Sequence, residues 1–432
     1  MKTVTVVGGG LAGCEAALQL LKRGFAVNLY EMRPERQTGA HSGGGLAELV
    51  CSNSLKSEGE TASGALKAEL RACGCELLDA AYSTAVPSGG ALAVDRHAFS
   101  ELVEKKLAAY PAFRLIRGEV TDIPDPPAIV ATGPLTSESL ATRLAALTGQ
   151  ENLHFYDATS PIVDAASVDM ERAYFGGRYG KGGDDYLNLP LEKEEYAAFC
   201  EALIGAKTAM LRDFEKRELF EGCMPIEEIA KRGRDAMRFG PLRPVGLRDP
   251  RTGKGAYAVV QLRRENTAGD CFNMVGFQTN LTYAEQRRVF TMIPALREAE
   301  FLRYGVMHRN TYLNSAGTLD ATFRVRGEGA LYIAGQLTGV EGYMESVMSG
   351  LVAGISLARE LSGKPAAVPP ATTVMGALSK YVASAKAGTP PMNANFGLLP
   401  PCEDAGKKER KKRYCERSIR DIMNFVSQAE TL

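Results

Sequence analysis

The chain opens on an apolar run, Val4, Val6 and Val7, which breaks at a cluster of glycines. Leu11, Ala12, Ala16, Leu18 and Leu21 then recur at the spacing of one buried helix face. Gly24 ends that helix, and a second apolar run closes on Leu29 and Tyr30 with Glu31 at its tip. Strand, turn, helix and strand in that order predict a βαβ unit. Further on, the pattern predicts a helix from about Gly64 to Cys73, a strand from Ala91 to Arg96 and a helix over 97–109. A buried strand from Ala128 to Pro134 and a helix over 136–146 follow.

From about 166 to 304 the pattern changes. Gly176, Gly177, Gly180, Gly182 and Gly183 mark an irregular connection, and Tyr196, Phe199, Leu203, Met210 and Phe214 predict one amphipathic helix. Strands follow at Tyr257–Leu262 and Cys271–Phe277. A last strand, 331–335, leads through a glycine-rich turn to a helix ending near Leu361, with Gly363 as its cap. A short helix from Met375 to Ala383 lies between proline pairs, and another helix finishes the chain. The expected fold is α/β: a Rossmann-like domain, mostly parallel sheet with helices on both faces, carrying an inserted α+β domain. The expected division is 1–165 with 305–370 for the first, 166–304 for the insertion, and 371–432 as a helical segment packing on the first domain.

The glycines change the picture from fold to chemistry. Gly8, Gly9, Gly10, Leu11, Ala12 and Gly13 read as a dinucleotide fingerprint, Gly-x-Gly-x-x-Gly, after a strand and opening a helix. Gly8 allows the tight turn, Gly10 lets backbone approach a pyrophosphate, and Gly13 lets helix and strand pack closely. Glu31 would accept from ribose hydroxyls and repel a 2′-phosphate, which favours FAD or NAD over NADP. The second glycine turn, Gly335 and Gln336 through Gly342 and Tyr343, moves the reading toward a resident FAD.

The 432 residues carry 51 cationic and 51 acidic side chains, so global charge says nothing about nucleic acid. No run of eighteen apolar residues exists, and the chain starts directly in a strand without a signal peptide, so a cytoplasmic protein without membrane contact is expected. Nine scattered cysteines and four scattered histidines lack metal-ligand spacing, so no metal is expected. Locally the charge is uneven. Lys231, Arg232, Arg234, Arg238, Arg243, Arg248, Arg251, Lys254, Arg263 and Arg264 face only Asp235 and Asp249 over 231–264. That stretch is either a solvated face or a phosphate-contacting one. It follows Cys223, which precedes Pro225 and a helix start, where a thiolate gains about 0.3–1 kcal/mol. Cys51 lies in a polar loop with Ser52, Asn53 and Ser54. Lys407 to Arg413 form a second cationic cluster.

The chain resembles the folate- and FAD-dependent tRNA uracil-5-methyltransferases, the TrmFO family, over nearly its whole length. The resemblance is carried by Val7–Gly13, Tyr30-Glu31-Met32-Arg33-Pro34, Cys51-Ser52-Asn53-Ser54, Gly133-Pro134-Leu135-Thr136 and Phe220-Glu221-Gly222-Cys223-Met224-Pro225. It continues in Val275–Asn280, Met307-His308-Arg309-Asn310, Ala334-Gly335-Gln336, Gly339–Tyr343 and Asn395-Phe396-Gly397. The loop Gly39 to Leu46 departs from the family pattern. The GidA-type tRNA-modifying flavoproteins share the cofactor logic but run longer at the C-terminus.

The resemblance implies transfer of a one-carbon unit from 5,10-methylenetetrahydrofolate to C5 of the T-loop uridine of tRNA, with FAD reduced by NADPH or NADH. It assigns chemistry to Cys51 and Cys223. Cys223 is expected to add to the uridine, and Cys51 to sit at the flavin. Arg33 joins the cofactor-binding set, His308 is expected to stack on the folate pterin, and the Arg232–Arg264 arginines are expected to hold the T-arm. No stable protein partner is expected. The alternatives are the same chemistry on a ribosomal RNA uridine, or a small-molecule NAD(P)H-dependent flavin oxidoreductase.

Overall fold

The computed structural model describes the chain except residues 150–152, 181–182, 210–223, 316, 385, 387, 403–405, 407–408 and 429–432. Its first sheet has five strands, ordered Leu331–Ile333, Ala128–Val130, Thr3–Val7, Ala26–Glu31, Phe113–Arg117, and every pairing is parallel. Val4, Val6, Val27, Leu29, Ile129 and Ile333 are fully buried within it, as expected of strands covered on both faces. The strand at 128 is shorter than its apolar run. Ala131 N–H still donates to Val7 O, and the chain then turns at Gly133, φ +69°.

The helix Leu11–Lys22 packs along the helix Tyr343–Leu361. Their axes approach closely because both contact faces are small. A Cβ on Gly350 would lie 2.2 Å from Ala12 O, and one on Gly354 would lie 2.9 Å from Ala16 O. The two glycine turns are therefore carried by two helices in direct contact.

A second sheet holds six antiparallel strands in the order Tyr174–Phe175, Tyr186–Leu191, Ala258–Arg264, Cys271–Met274, Ile162–Asp164, Phe301–Arg303. It has its own apolar core, from Val163 to Ala299, built with Tyr196, Phe199, Phe277 and Phe290. The other core gathers residues from Val4 to Leu144 and from Leu313 to Ile422. Between the two cores the chain passes through a two-stranded antiparallel ribbon, Leu153–Ala158 against Met307–Tyr312.

The helix expected to reach Phe214 is shorter: it spans Lys193–Ile204. Gly205 follows it, and the backbone then pairs in extended form, Ala209 N–H with Asn280 O and Thr282 N–H with Lys207 O. That pairing offers the 206–209 backbone partners outside a helix, next to a poor helix former. Met210 and Phe214 lie outside the described residues.

Buried carboxylates tie the helices together. Glu69 accepts from the N–H groups of Val374 and Met375, both at 2.8 Å, at the start of the helix Val374–Ser384, and from the Ser418 hydroxyl of the helix Arg410–Gln428. Glu15 does the same for the helix Glu76–Ser83 through Leu77 N–H at 2.9 Å. Orphan N–H groups at helix starts are thus satisfied from neighbouring helices. Among the described residues no helix is long and apolar enough to cross a membrane.

Candidate active site

The first glycine turn has the geometry its sequence demands. Gly8 sits at φ +104°, and a Cβ on Gly13 would lie 1.9 Å from Gly8 O. A Cβ on Gly10 would meet nothing within 4 Å, so the fold leaves space beside that backbone. The helix behind the turn has no acidic residue in its first turn and no side-chain cap. Its start lines a narrow cleft with Gly8, Glu31, Gly335, Gln336 and Tyr343, of about 120 Å3. Met32, Thr38, Pro134 and Leu135 are shared between that cleft and a wider groove of about 820 Å3. An uncapped helix start facing a cleft is an anion site.

Glu31 closes one side. Its carboxylate accepts from Gly9 N–H at 2.8 Å and from Arg33 N–H and Nε, both at 2.9 Å. Burial opposes ionisation there, but the Arg33 side chain and the two N–H groups outweigh it, and the pKa lies below the usual carboxylate value. Arg33 is buried and also pairs with Glu48 at 2.8 Å. Its place is thus behind Glu31, holding that carboxylate charged.

Cys51 is half-buried, and its thiol lies 3.8 Å from Ala158 O. Residues far away in sequence hold its loop. The Tyr343 hydroxyl accepts from Cys51 N–H at 2.9 Å and from Ser52 N–H at 3.2 Å. Arg303 donates to Val50 O at 2.7 Å. Arg96 donates to Val50 O at 3.5 Å while its other nitrogens grip Glu265 at 2.6 and 3.1 Å. Arg263 donates to Ser52 Oγ and Asn53 Oδ1, both at 2.9 Å. Three guanidinium groups from separate segments thus converge on the loop that carries the thiol. Arg96 and Arg303 escape a reading of the sequence, because nothing local marks them.

Arg263 requires a correction. Counted with the exposed cations, it is only 5 % exposed and points at the Cys51 loop. The strand Ala258–Arg264 is covered on both faces, and a charge count ignores which face a residue takes. Arg238 and Arg264 are half-buried against aromatic rings, Arg238 lying 3.7 Å from the Tyr257 centroid and Arg264 5.3 Å from that of Phe175. Arg232, Arg234, Arg243 and Arg248 are exposed. Cys223, Lys407 and Lys408 lie outside the described residues. The helix after Cys223 is present at Ile226–Lys231, with Pro225 as its N-cap residue and Glu227 and Glu228 in its first turn.

His308 lies on the ribbon, 4.0 Å from Asp157 of the opposing strand. Burial, more than any charge, lowers its pKa, and Asp157 only partly offsets this, so the ring is neutral at neutral pH. Its Nδ1, and both amide atoms of Asn310 two residues on, are buried without a hydrogen-bond partner. Residues two apart share one face of a strand. Those atoms are closed off from solvent, so they form an internal polar pair and not a surface open to a ligand. Glu341, inside the second glycine turn, is 8 % exposed and bonded to the Gln336 amide. Burial and then the nearby Asp157 charge push its carboxyl up to about 8. It holds a proton at neutral pH, and it is a residue the sequence reading missed. Among the described residues no three His, Cys, Asp or Glu side chains cluster as metal ligands do.

Residues 3–365 match the family described as glucose inhibited division protein A. Methylenetetrahydrofolate--tRNA-(uracil-5-)-methyltransferase TrmFO of Geobacter sulfurreducens is 53% identical over 429 residues, covering 98% of this chain and 99% of that protein. The protein of the same name from Listeria monocytogenes serotype 4b is 52% identical over 431 residues, covering 99% of each. The solved structure of Aquifex aeolicus GidA, form II crystal, superposes with a TM-score of 0.72 at 16% identity, covering 100% of this chain and 74% of that one. The last is a likeness of fold.

Proposed function

Because this chain belongs to the GidA family and, within it, to the TrmFO methyltransferases, we propose that it methylates C5 of a tRNA uridine. The carbon comes from 5,10-methylenetetrahydrofolate, and the uridine is that of the T-loop. The observation that carries the reading is the bond between Tyr343 and the Cys51 backbone. It makes the second cofactor turn and the thiol loop one unit.

The residues present fit FAD. The uncapped helix start at Gly10–Ala12 takes the pyrophosphate, Glu31 takes the ribose hydroxyls, and the Gly335–Tyr343 turn takes the flavin end. FAD, reduced by NADH or NADPH, supplies the electrons that convert the methylene to methyl.

The chain's own residues prepare the uracil. C5 is a poor nucleophile until a thiolate adds at C6, and Cys223 is assigned that addition. The C6–S bond makes C5 electron-rich and C5 bonds to the folate's methylene carbon. Loss of the C5 proton then breaks the methylene–nitrogen bond and releases tetrahydrofolate, and reduction of the methylene left on C5 to methyl restores the C5=C6 bond and expels the Cys223 thiolate. Cys51, in its cationic loop, serves at the flavin. His308 is assigned to stack on the pterin. Arg232, Arg234, Arg243 and Arg248 meet the T-arm phosphates.

Purified protein incubated with labelled methylenetetrahydrofolate, NADPH and an unmodified tRNA transcript should yield ribothymidine. With a 5-fluorouridine T-arm, Cys223→Ala should fail to form the covalent RNA adduct. An adduct that persists in Cys223→Ala reverses the assignment of the two cysteines.

A further inference from the structure

A cavity of about 710 Å3 lies in the second module, between the glycine-rich segment at 176–180 and the segment 244–250. Tyr179 lines it, 66% exposed, with φ +58°. Bulky residues rarely adopt that backbone region. Its N–H donates to Gly246 O at 2.7 Å, and a Cβ on Gly246 would meet three atoms of the Tyr179 ring at 2.9–3.0 Å. The ring therefore rests on Gly246, and its remaining surface faces solvent.

The loop is built from beneath. Arg178 donates to Val245 O at 2.8 Å and to Gln261 Oε1 at 2.9 Å. Gln261 donates to Asn188, which is fully buried and donates to Gly176 O at 2.8 Å. Both acceptors of Arg178 are neutral, and it has no ion pair among the described residues. Arg248 lines the same cavity, Arg243 adjoins it in sequence, and Asp184 is the acid on its wall.

A tyrosine held in a left-handed backbone with most of its surface in water gains little from burial and is strained. A flat ring offered to solvent beside Arg248, with Arg243 near the same loop, suits a flat partner that also bears negative charge. We propose that this cavity seats an unpaired nucleobase of the substrate RNA loop, a neighbour of the target uridine. The base stacks on Tyr179, and Arg243 and Arg248 meet its phosphates. The proposal rests on the tRNA reading above.

The strand Ala258–Arg264 places this seat relative to the chemistry. Gln261, under the Tyr179 loop, and Arg263, which grips the Cys51 loop, are two residues apart on one face, about 7 Å along the strand. The Tyr179 loop and the Cys51 loop are thus held from the same strand.

The test uses FAD-loaded protein and a T-arm stem-loop carrying 2-aminopurine beside the target uridine. Tyr179→Ala should weaken binding by roughly tenfold or more and abolish quenching of the probe, while Tyr179→Phe keeps both. FAD content and the KM for folate should be unchanged. Wild-type affinity and quenching in Tyr179→Ala overturn the proposal and leave the tRNA reading standing, whereas failure of the wild-type protein to bind the stem-loop defeats that reading itself. In the unaltered protein, 5-iodouridine at the same loop position should photocrosslink to Tyr179. Crosslinks confined to other residues also overturn the proposal, whatever the folding of the variants.

Discussion

The Tyr343 hydroxyl accepts from the backbone N–H of Cys51 at 2.9 Å across 292 residues of sequence. The same oxygen accepts from Ser52 N–H, and burial keeps the phenol far from ionising. Tyr343→Phe leaves two N–H groups without this acceptor, a loss of about 1–2 kcal/mol localised in the thiol loop. Turnover should fall roughly tenfold, with FAD content retained. Full turnover in Tyr343→Phe would show that the bond does not position Cys51.

The two central glycines of the first turn should fail differently. Gly13→Ala forces a Cβ to 1.9 Å from Gly8 O, so this variant should lose more than about 2 kcal/mol of stability even without cofactor. Gly10→Ala meets nothing in the folded chain and should melt like the parent, while its FAD affinity drops by roughly tenfold. Thermal melts and flavin titration separate the two. Equal losses of stability would contradict the geometry.

Arg263 and the exposed arginines make opposite predictions. Arg263→Ala removes two charge-assisted hydrogen bonds to Ser52 and Asn53 and should destabilise the protein by about 2–3 kcal/mol, leaving the salt dependence of tRNA binding unchanged. Arg234→Ala and Arg243→Ala should leave stability alone and each lower the log–log salt slope by about one. A reduced slope in Arg263→Ala would place that side chain on the RNA after all.

Glu69 predicts a pH dependence. Burial, the largest influence, raises its pKa from 4.5 to about 7 against the donors that favour its charged form. Between those values the folded chain binds a proton that the unfolded chain has released, so its contribution to stability is largest below pH 4.5 and shrinks as pH rises to about 7. Glu69→Gln removes the titration. The melting-temperature difference between parent and variant should therefore fall, parent relative to variant, from pH 5 to pH 8. A constant difference across that range would refute the assignment.

What the sequence made legible was local. The turn at Gly8–Gly13 and the strands around it follow from alternation and helical spacing within about thirty residues. So does the second turn before Tyr343. The surroundings of Cys51 were not legible, because Arg96, Arg263, Arg303 and Tyr343 arrive from four distant segments, and no period in the chain records where they converge. Arg263 misled for a related reason: a run of cations looks like a surface until the strand carrying one of them is seen to be covered. The extent of the Lys193–Ile204 helix was hidden by backbone pairing with 280–282, which the apolar spacing of Met210 and Phe214 does not register. Glu341 passed unnoticed because its altered proton affinity comes from burial and Asp157, neither of which is a sequence neighbour.

The ribbon Leu153–Ala158 and Met307–Tyr312 gives the two cores a mechanical relationship. Its six residue pairs resist pulling and sliding, because either would break several ladder bonds together. His308, Asp157 and Asn310 ride on that ladder. The joint between the two cores is therefore also the seat of His308, Asp157 and Asn310, so a substitution that loosens the ladder would shift these three side chains together.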